Sequence, residues 1–405
     1  MLLPSSGLGS KGPARGTVDV THAKKKKKKK KKRHCRKGYV LKRVVRGKGK
    51  HRHYVMRGKG KHRHYVRRCR KVKKKKALVP PPGVNPVGPS QTGFIVGMAS
   101  GPAPAWEAQV MPSLRPRVVR FSISIDASLS DIGGAVSGMA KYGTEVIPVV
   151  MFNGRIPTTA EAQNLASWAH AYGPGGTYWQ GRSNGYLAMR YIEFGNETNQ
   201  EWQYGCGAGC AGFVPRAQQY ALRARDAINA INGPGGNPNT KLLLAADDGG
   251  CGCSDWIDGM FSAVPNLNTL VGGWTSHPYG PPSVYREMLD RLVSDTARHG
   301  DTTDPIIVTE YGISTDNGRC LSDNYGWPKC LTYAQAATDM HNAIADMHSR
   351  YGRRLAMLMI FAQRDNAASG AESDREGYFG AFQNNFQPKG AFTTEVLNEL
   401  ATYRG

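Results

Sequence analysis

The sequence predicts a (β/α)8 TIM barrel preceded by a disordered basic N-terminal arm. Three observations predict it. Charge is split sharply along the chain, apolar runs alternate with helical stretches eight times from about Gly93 onward, and a glutamate stands at or just after the end of two of those runs. Short runs that are nearly all apolar fit strands buried on both faces, as in a parallel sheet covered by helices. Eight such units in about 310 residues fit a closed barrel of this kind. An open doubly wound sheet is the structural alternative, but no Gly-x-Gly-x-x-Gly turn follows the first run.

The arm comes first in the chain. Residues 1–79 hold 32 Lys and Arg against one acid, Asp19, a net of about +31 within the chain's total of +25. The remainder carries 23 Lys and Arg against 29 Asp and Glu, about −6. The chain is thus a mildly acidic body with a strongly basic extension. Residues 1–23 form an unassigned segment, and Met1-Leu2-Leu3-Pro4 is too short for the apolar core of a signal peptide. Residues 24–79 are low in complexity, with an unbroken lysine run from Lys24 to Lys32 and a repeat of period 11, Arg46–Val55 followed by Arg57–Val66. Like charges at this density repel, and little apolar surface is available, so disorder is expected there. Residues 80–92, with Pro80-Pro81-Pro82, Pro86 and Pro89, read as a stiff linker.

The body, 93–405, supplies the eight runs. They are Phe94–Met98, Val118–Ile125, Val146–Phe152, Tyr191–Phe194, Leu242–Ala246, Trp274–Tyr279, Ile306–Glu310 and Leu355–Phe361. Helical stretches between them include Thr159–Tyr172, Pro215–Ile231, Val284–Arg298 and Tyr333–Tyr351. No apolar run is long enough to span a bilayer. Glu197 follows the fourth run and Glu310 ends the seventh. Carboxylates at the C-terminal ends of barrel strands point to where barrel enzymes do their chemistry. Two of them are what glycosidic bond cleavage needs.

Six of the eight cysteines fall in close pairs after the fourth, fifth and seventh runs: Cys206 and Cys210, Cys251 and Cys253, Cys320 and Cys330. Disulfides are expected at the rim of the barrel mouth, with connectivity open, and they imply an oxidising compartment. Zinc is the rival reading, but the Cys-x-x-Cys spacing of common zinc sites is absent. Cys35 and Cys69 lie in the arm.

Phe194-Gly195-Asn196-Glu197 after the fourth run, with Thr309-Glu310-Tyr311-Gly312 at the seventh, resembles clan A of the retaining glycoside hydrolases over about Gly93 to Gly405. The likeness is to its cellulase-like and bacterial exopolysaccharide-hydrolase branches. It implies that Glu197 is the acid/base, Glu310 the nucleophile and Asn196 a ligand of the sugar 2-hydroxyl. Arg120, at the end of the second run, resembles the family arginine that hydrogen-bonds the nucleophile. His277-Pro278-Tyr279-Gly280 resembles the family's His-x-Tyr segment, with Tyr279 donating to Glu310 and His277 lining the substrate cleft. Where the family often has a tryptophan after the eighth run, this chain has Phe361, a smaller stacking face. Gly377-Tyr378-Phe379-Gly380 and Gln387-Pro388-Lys389-Gly390 look like the closing turn into the last helix.

Bland readings stand beside these. A strand-end glutamate often serves only as an ion-pair partner. Glu193 is expected to be structural and Glu201 to face solvent or the substrate rim. Trp179, Trp202 and Trp327 are candidates for stacking on sugars or for loop core. Asn196-Glu197-Thr198 reads as a glycosylation sequon that its place at a barrel mouth disfavours.

The expectation is therefore a retaining glycoside hydrolase without cofactor or metal, monomeric, extracellular or attached to the cell envelope, acting on a carbohydrate substrate. Its arm is expected to bind an anionic envelope polymer or another polyanion through residues 24–76 by counterion release. Two alternatives are a non-catalytic carbohydrate-binding barrel and a nucleic-acid-binding protein acting through the arm.

Overall fold

The computed structural model describes residues 39–44, 56–57, 64–71, 93–100, 104–204, 212–248, 254–321, 323–366 and 375–405. The chain divides into two compact units, Met1–Ala77 and Leu78–Gly405. In the first, Tyr39–Val44, Met56–Arg57 and His64–Lys71 are strands of a three-stranded antiparallel sheet, with the last of them in the middle. Tyr39, Val40, Val44, Tyr65 and Val66 are aromatic or β-branched residues of the kind that favour strands. The rest of 24–79, the whole of the linker 80–92 and the segment 1–23 lie outside the described residues.

The second unit is a closed barrel of eight parallel strands. They are β1 Ile95–Ser100, β2 Val118–Ser124, β3 Glu145–Met151, β4 Tyr191–Phe194, β5 Lys241–Asp248, β6 Trp274–His277, β7 Ile306–Tyr311 and β8 Leu355–Phe361. Neighbours pair in chain order, and β8 closes on β1 through Met357↔Ile95 to Phe361↔Ala99. A helix follows every strand: α1 Pro104–Leu114, α2 Leu129–Ala140, α3 Thr159–Tyr172, α4 Phe213–Asn232, α5 Ser254–Ala263, α6 Pro282–Arg298, α7 Tyr333–Tyr351 and α8 Ala391–Thr402. The first turns of α2, α3 and α7 are closed by reciprocal capping boxes on Ser128, Thr158 and Thr332. Each satisfies two helix-end donors that would otherwise be orphaned.

Strand alternation divides the core in two. Ile95, Ala99, Val118, Ile147, Leu243, Ile307, Met357 and Met359 form one buried cluster inside the barrel. Neighbouring strand residues such as Val96, Val119, Val146 and Val308 join the larger cluster with the helices. Successive side chains on a strand point to opposite faces, so each strand feeds both cores. Above the inner apolar layer the same inward positions become polar: Arg120 on β2, Glu193 on β4, His277 on β6 and Thr309 on β7, each at most 3% exposed. That change marks the C-terminal mouth. Among the described residues, no helix is long and apolar enough to cross a membrane.

Candidate active site

The site is built around one guanidinium. The Arg120 Nε donates to Glu193 Oε2 at 2.5 Å and its Nη2 to Asn196 Oδ1 at 2.6 Å. Its Nη1 donates to Glu310 Oε1. Burial alone would favour the neutral form of Arg120, but the charges of Glu193 and Glu310 outweigh it and hold the group protonated. The planar fork suits this work, because it offers donors in fixed directions to several acceptors at once.

Glu310 receives a second donor, the Tyr279 hydroxyl, at 2.8 Å from Oε2. Burial pushes its carboxyl up, but His277, Arg120 and the Tyr279 hydrogen bond together hold it below the usual carboxylate range. The Tyr279 phenol is pushed well up by burial and by the adjacent Glu310, so it stays a donor. Strand geometry alone would send Thr309 and Glu310 to opposite faces. The register of β7 against β8 shifts between Val308 and Tyr311, and this irregularity lets both side chains reach the mouth.

Glu197 stands on the turn after β4. Gly195 there has φ +88°, and a Cβ would meet Thr198 Cγ2 at 2.2 Å and the Phe152 ring at 2.9 Å. Glycine is therefore required by both conformation and space. Glu197 itself has φ +45°, a conformation uncommon for a side-chain-bearing residue. The Gln200 amide donates to its carbonyl at 2.9 Å, and the Tyr204 hydroxyl donates to the Thr198 carbonyl at 2.6 Å. The Glu197 Oε1 faces His277 Nδ1 at 3.0 Å, and His277 Nε2 faces Thr309 Oγ1 at 3.1 Å.

Every residue expected at the site is brought to the barrel mouth: Arg120, Asn196, Glu197, His277, Tyr279, Glu310 and Phe361. Phe361 belongs to an aromatic group with Tyr279, at 6.3 Å between ring centroids, and Phe379, at 5.6 Å. His277 is 2% exposed, with its ring nitrogens facing Glu197 and Thr309. Glu193 is fully buried against Arg120, and Glu201 is exposed beside Arg216 at 3.5 Å. Trp179 is loop core, its indole nitrogen donating to the Tyr172 carbonyl at 2.7 Å. Trp327 packs against the main core and lines a groove with Pro282 and Tyr285 outside the barrel. The Trp202 side chain lies outside the described residues.

Two contributors were missed at the sequence level. Thr309 was read only as part of the motif around Glu310, with no role of its own. Tyr325 sits in the loop after β7, where its ring stacks on Tyr279 at 5.1 Å with Arg375 over its other face at 3.8 Å. That loop is closed by the Cys320–Cys330 disulfide, and only the cysteine spacing hinted that it is built. Cys35, Cys206, Cys210, Cys251 and Cys253 lie outside the described residues.

Glu197, His277 and Glu310 offer ligand-type atoms within 4.8 Å of one another, as do His341, Glu395 and Glu399 between α7 and α8. At the first cluster the Arg120 guanidinium already contacts Glu310, so a bound cation there would face a like charge. At the second, His341 Nδ1 contacts Glu395 at 3.0 Å and Glu399 at 2.7 Å, an ion-pair arrangement between the two helices.

No protein-family model matches the chain, and no curated protein sequence matches it. Among solved structures, a fungal β-1,4-galactanase aligns with a TM-score of 0.51 at 14% identity, over 72% of this chain and 90% of that one. The β-glucuronidase 2 of Bacteroides uniformis aligns at 0.48 and 12%, over 75% of this chain and 34% of that one. A GH2 β-galacturonidase from Eisenbergiella tayi aligns at 0.47 and 13%, over 76% and 50%. The chain therefore spans about a third of the length of the glucuronidase and half that of the galacturonidase. At this identity the likeness is one of fold. The protein has a closed eight-stranded parallel barrel, the fold that the clan A resemblance implied.

Proposed function

We propose that this protein is a retaining glycoside hydrolase that cleaves O-glycosidic bonds of a poly- or oligosaccharide by double displacement. The observation that carries the reading is the pair Glu197 and Glu310, whose carboxylate oxygens approach within 4.8 Å at one barrel mouth. Retention uses two carboxyl groups about 5 Å apart, one on each side of the bond to be cut. The environments of the two also support distinct roles. Glu310 receives donors from Arg120 and Tyr279, which suits a nucleophile that must stay ionised. Glu197 has a histidine beside it, which suits a group that gives and takes a proton.

In this mechanism a Glu310 oxygen attacks the anomeric carbon while the leaving oxygen takes the proton of Glu197. The glycosyl ester on Glu310 is then attacked by water, whose proton returns to Glu197, and the carboxylate of Glu310 is released. Asn196, held by Arg120, is placed for the sugar 2-hydroxyl, and Phe361 with Tyr325 for a sugar face. The basic arm attaches the protein to an anionic envelope polymer or another polyanion. The Cys320–Cys330 disulfide supports action outside the cytosol.

Azide tests the assignment. Glu310→Ala should abolish turnover, and azide in the vacated space should restore part of it, giving a glycosyl azide of inverted configuration. Glu197→Ala should still form the ester from substrates with good leaving groups, and azide should then give a product of retained configuration. Near-native turnover by both variants on every substrate the native protein cleaves would overturn the assignment. A native protein that binds sugars and cleaves none would be a carbohydrate-binding barrel instead.

A further inference from the structure

We propose that Glu193, Thr309 and His277 form a hydrogen-bond chain that fixes the neutral imidazole as its Nε2–H tautomer, so that one proton bridges Nδ1 and the Glu197 carboxyl group. The inference rests on reading Glu197 as the acid/base and makes His277 its positioning residue.

The chain starts at a charge. Glu193 is fully buried, and its Oε2 accepts from the Arg120 Nε. A carboxyl group clamped by a guanidinium is an acceptor on both oxygens. Its Oε1 accepts the Thr309 hydroxyl at 2.9 Å. A threonine hydroxyl has one proton, so the Thr309 oxygen can only accept at its contact with His277 Nε2, 3.1 Å away. Nε2 therefore carries hydrogen.

That leaves Nδ1 facing Glu197 Oε1 at 3.0 Å. With a neutral ring, Nδ1 is a lone pair, and the contact is a hydrogen bond only if Glu197 holds the proton. With an imidazolium, Nδ1 donates and Glu197 can be a carboxylate. Either way one proton bridges the two groups. Among the described side chains, the other charged and titratable groups facing the ring are Glu310, 3.8 Å from Nδ1, Arg120 and Tyr279. Burial disfavours the imidazolium, but Glu310 and Glu197 outweigh burial and Arg120, and the ring is held above its ordinary value. When both protons are present, the imidazolium donates to Oε1 and the acid proton is free on Oε2 for the leaving oxygen. After that proton leaves, the remaining one holds Glu197 as the carboxylate that accepts from water.

The test uses the full-length protein with 15N-labelled histidine, with His277→Gln to assign the signals. At high pH the His277 ring should show a protonated Nε2 and an unprotonated Nδ1, and Glu197→Gln should lower its titration midpoint. Thr309→Val should release the ring, so that a neutral Nδ1–H form appears. That form donates to the Glu197 carboxylate, so the alkaline limb of the kcat/KM profile should move down by about one pH unit. Thr309→Ser should restore both readouts. A native ring in the Nδ1–H form, or a midpoint indifferent to Glu197→Gln, would overturn the proposal. The ring signals need no substrate, so they separate the two ideas. Expected signals without turnover on any glycoside would sink the hydrolase reading and leave the shared proton standing, whereas turnover with the wrong ring form would sink the proposal alone.

Discussion

Arg120 ties three side chains of the site into one rigid set, reaching Glu193, Asn196 and Glu310 from a position 3% exposed. A guanidinium so deeply buried is tolerable only because each face meets an acceptor and two of those acceptors carry charge. Arg120→Ala should therefore cost stability as well as activity. It would leave Glu193 and Glu310 buried without their counter-charge, at about 3–5 kcal/mol. Urea unfolding monitored by circular dichroism would measure it, and a loss below about 1 kcal/mol would mean that the carboxyl groups find other partners. The arginine was legible as a charge inside an apolar run, although it stands third of the seven residues of β2 and not at the strand's end as expected. Its link to Glu193 was not, because 73 residues separate the two and nothing local joins them.

The ends of the strands carry two kinds of polar feature. At the C-terminal ends they form the site, and before the N-terminus of β7 they form an acidic pair, Asp301 buried and Asp304 half-buried. Asp301 accepts from the Trp274 indole at 2.5 Å and from the Asp304 amide at 3.0 Å. The Asp304 Oδ2 is buried without a hydrogen-bond partner. Burial, reinforced by the neighbouring Asp301, pushes the Asp304 carboxyl up to about 6. The folded state therefore holds this proton more tightly than the unfolded chain. Stability falls as pH rises from near 3.8 through about 6 and changes no further above that. Asp304→Asn should match the native protein in Tm at pH 4 and exceed it at pH 7.5. Equal Tm differences at both pH values would show that the carboxyl is not penalised. Element boundaries were largely legible here. Tyr191–Phe194, Leu355–Phe361, Thr159–Tyr172 and Tyr333–Tyr351 stand as read from the sequence. β5 extends to Asp248 past its apolar stretch, since backbone pairing continues where hydrophobicity stops.

At the scale of the whole chain, the charge division is the dominant feature: about +31 before residue 80 and about −6 after it. Removal of residues 1–79 should leave hydrolysis of small soluble substrates unchanged. It should abolish adsorption to anionic polymers, and with the full chain that adsorption should weaken steeply as salt rises. Co-sedimentation with an acidic polysaccharide or with DNA across a salt series would check this. Adsorption retained by the truncated body would place the anchor elsewhere.

The sequence by itself determined the barrel and the split of charge along the chain, and it singled out Glu197 and Glu310, which the fold brings together. Each of these is written locally: in periodicity, in composition, or in a residue that ends an apolar run. Only the tertiary structure decided how the groups work on one another. The register shift in β7 brings Thr309 and Glu310 to one side. The closure of β8 on β1 gathers residues as far apart as Arg120 and Phe361 at one mouth. The ring of His277 lies between Thr309 and Glu197. Hydrogen-bond partners across a barrel are set by strand stagger and by which face each side chain occupies. Neither leaves a mark within the few residues that a motif spans.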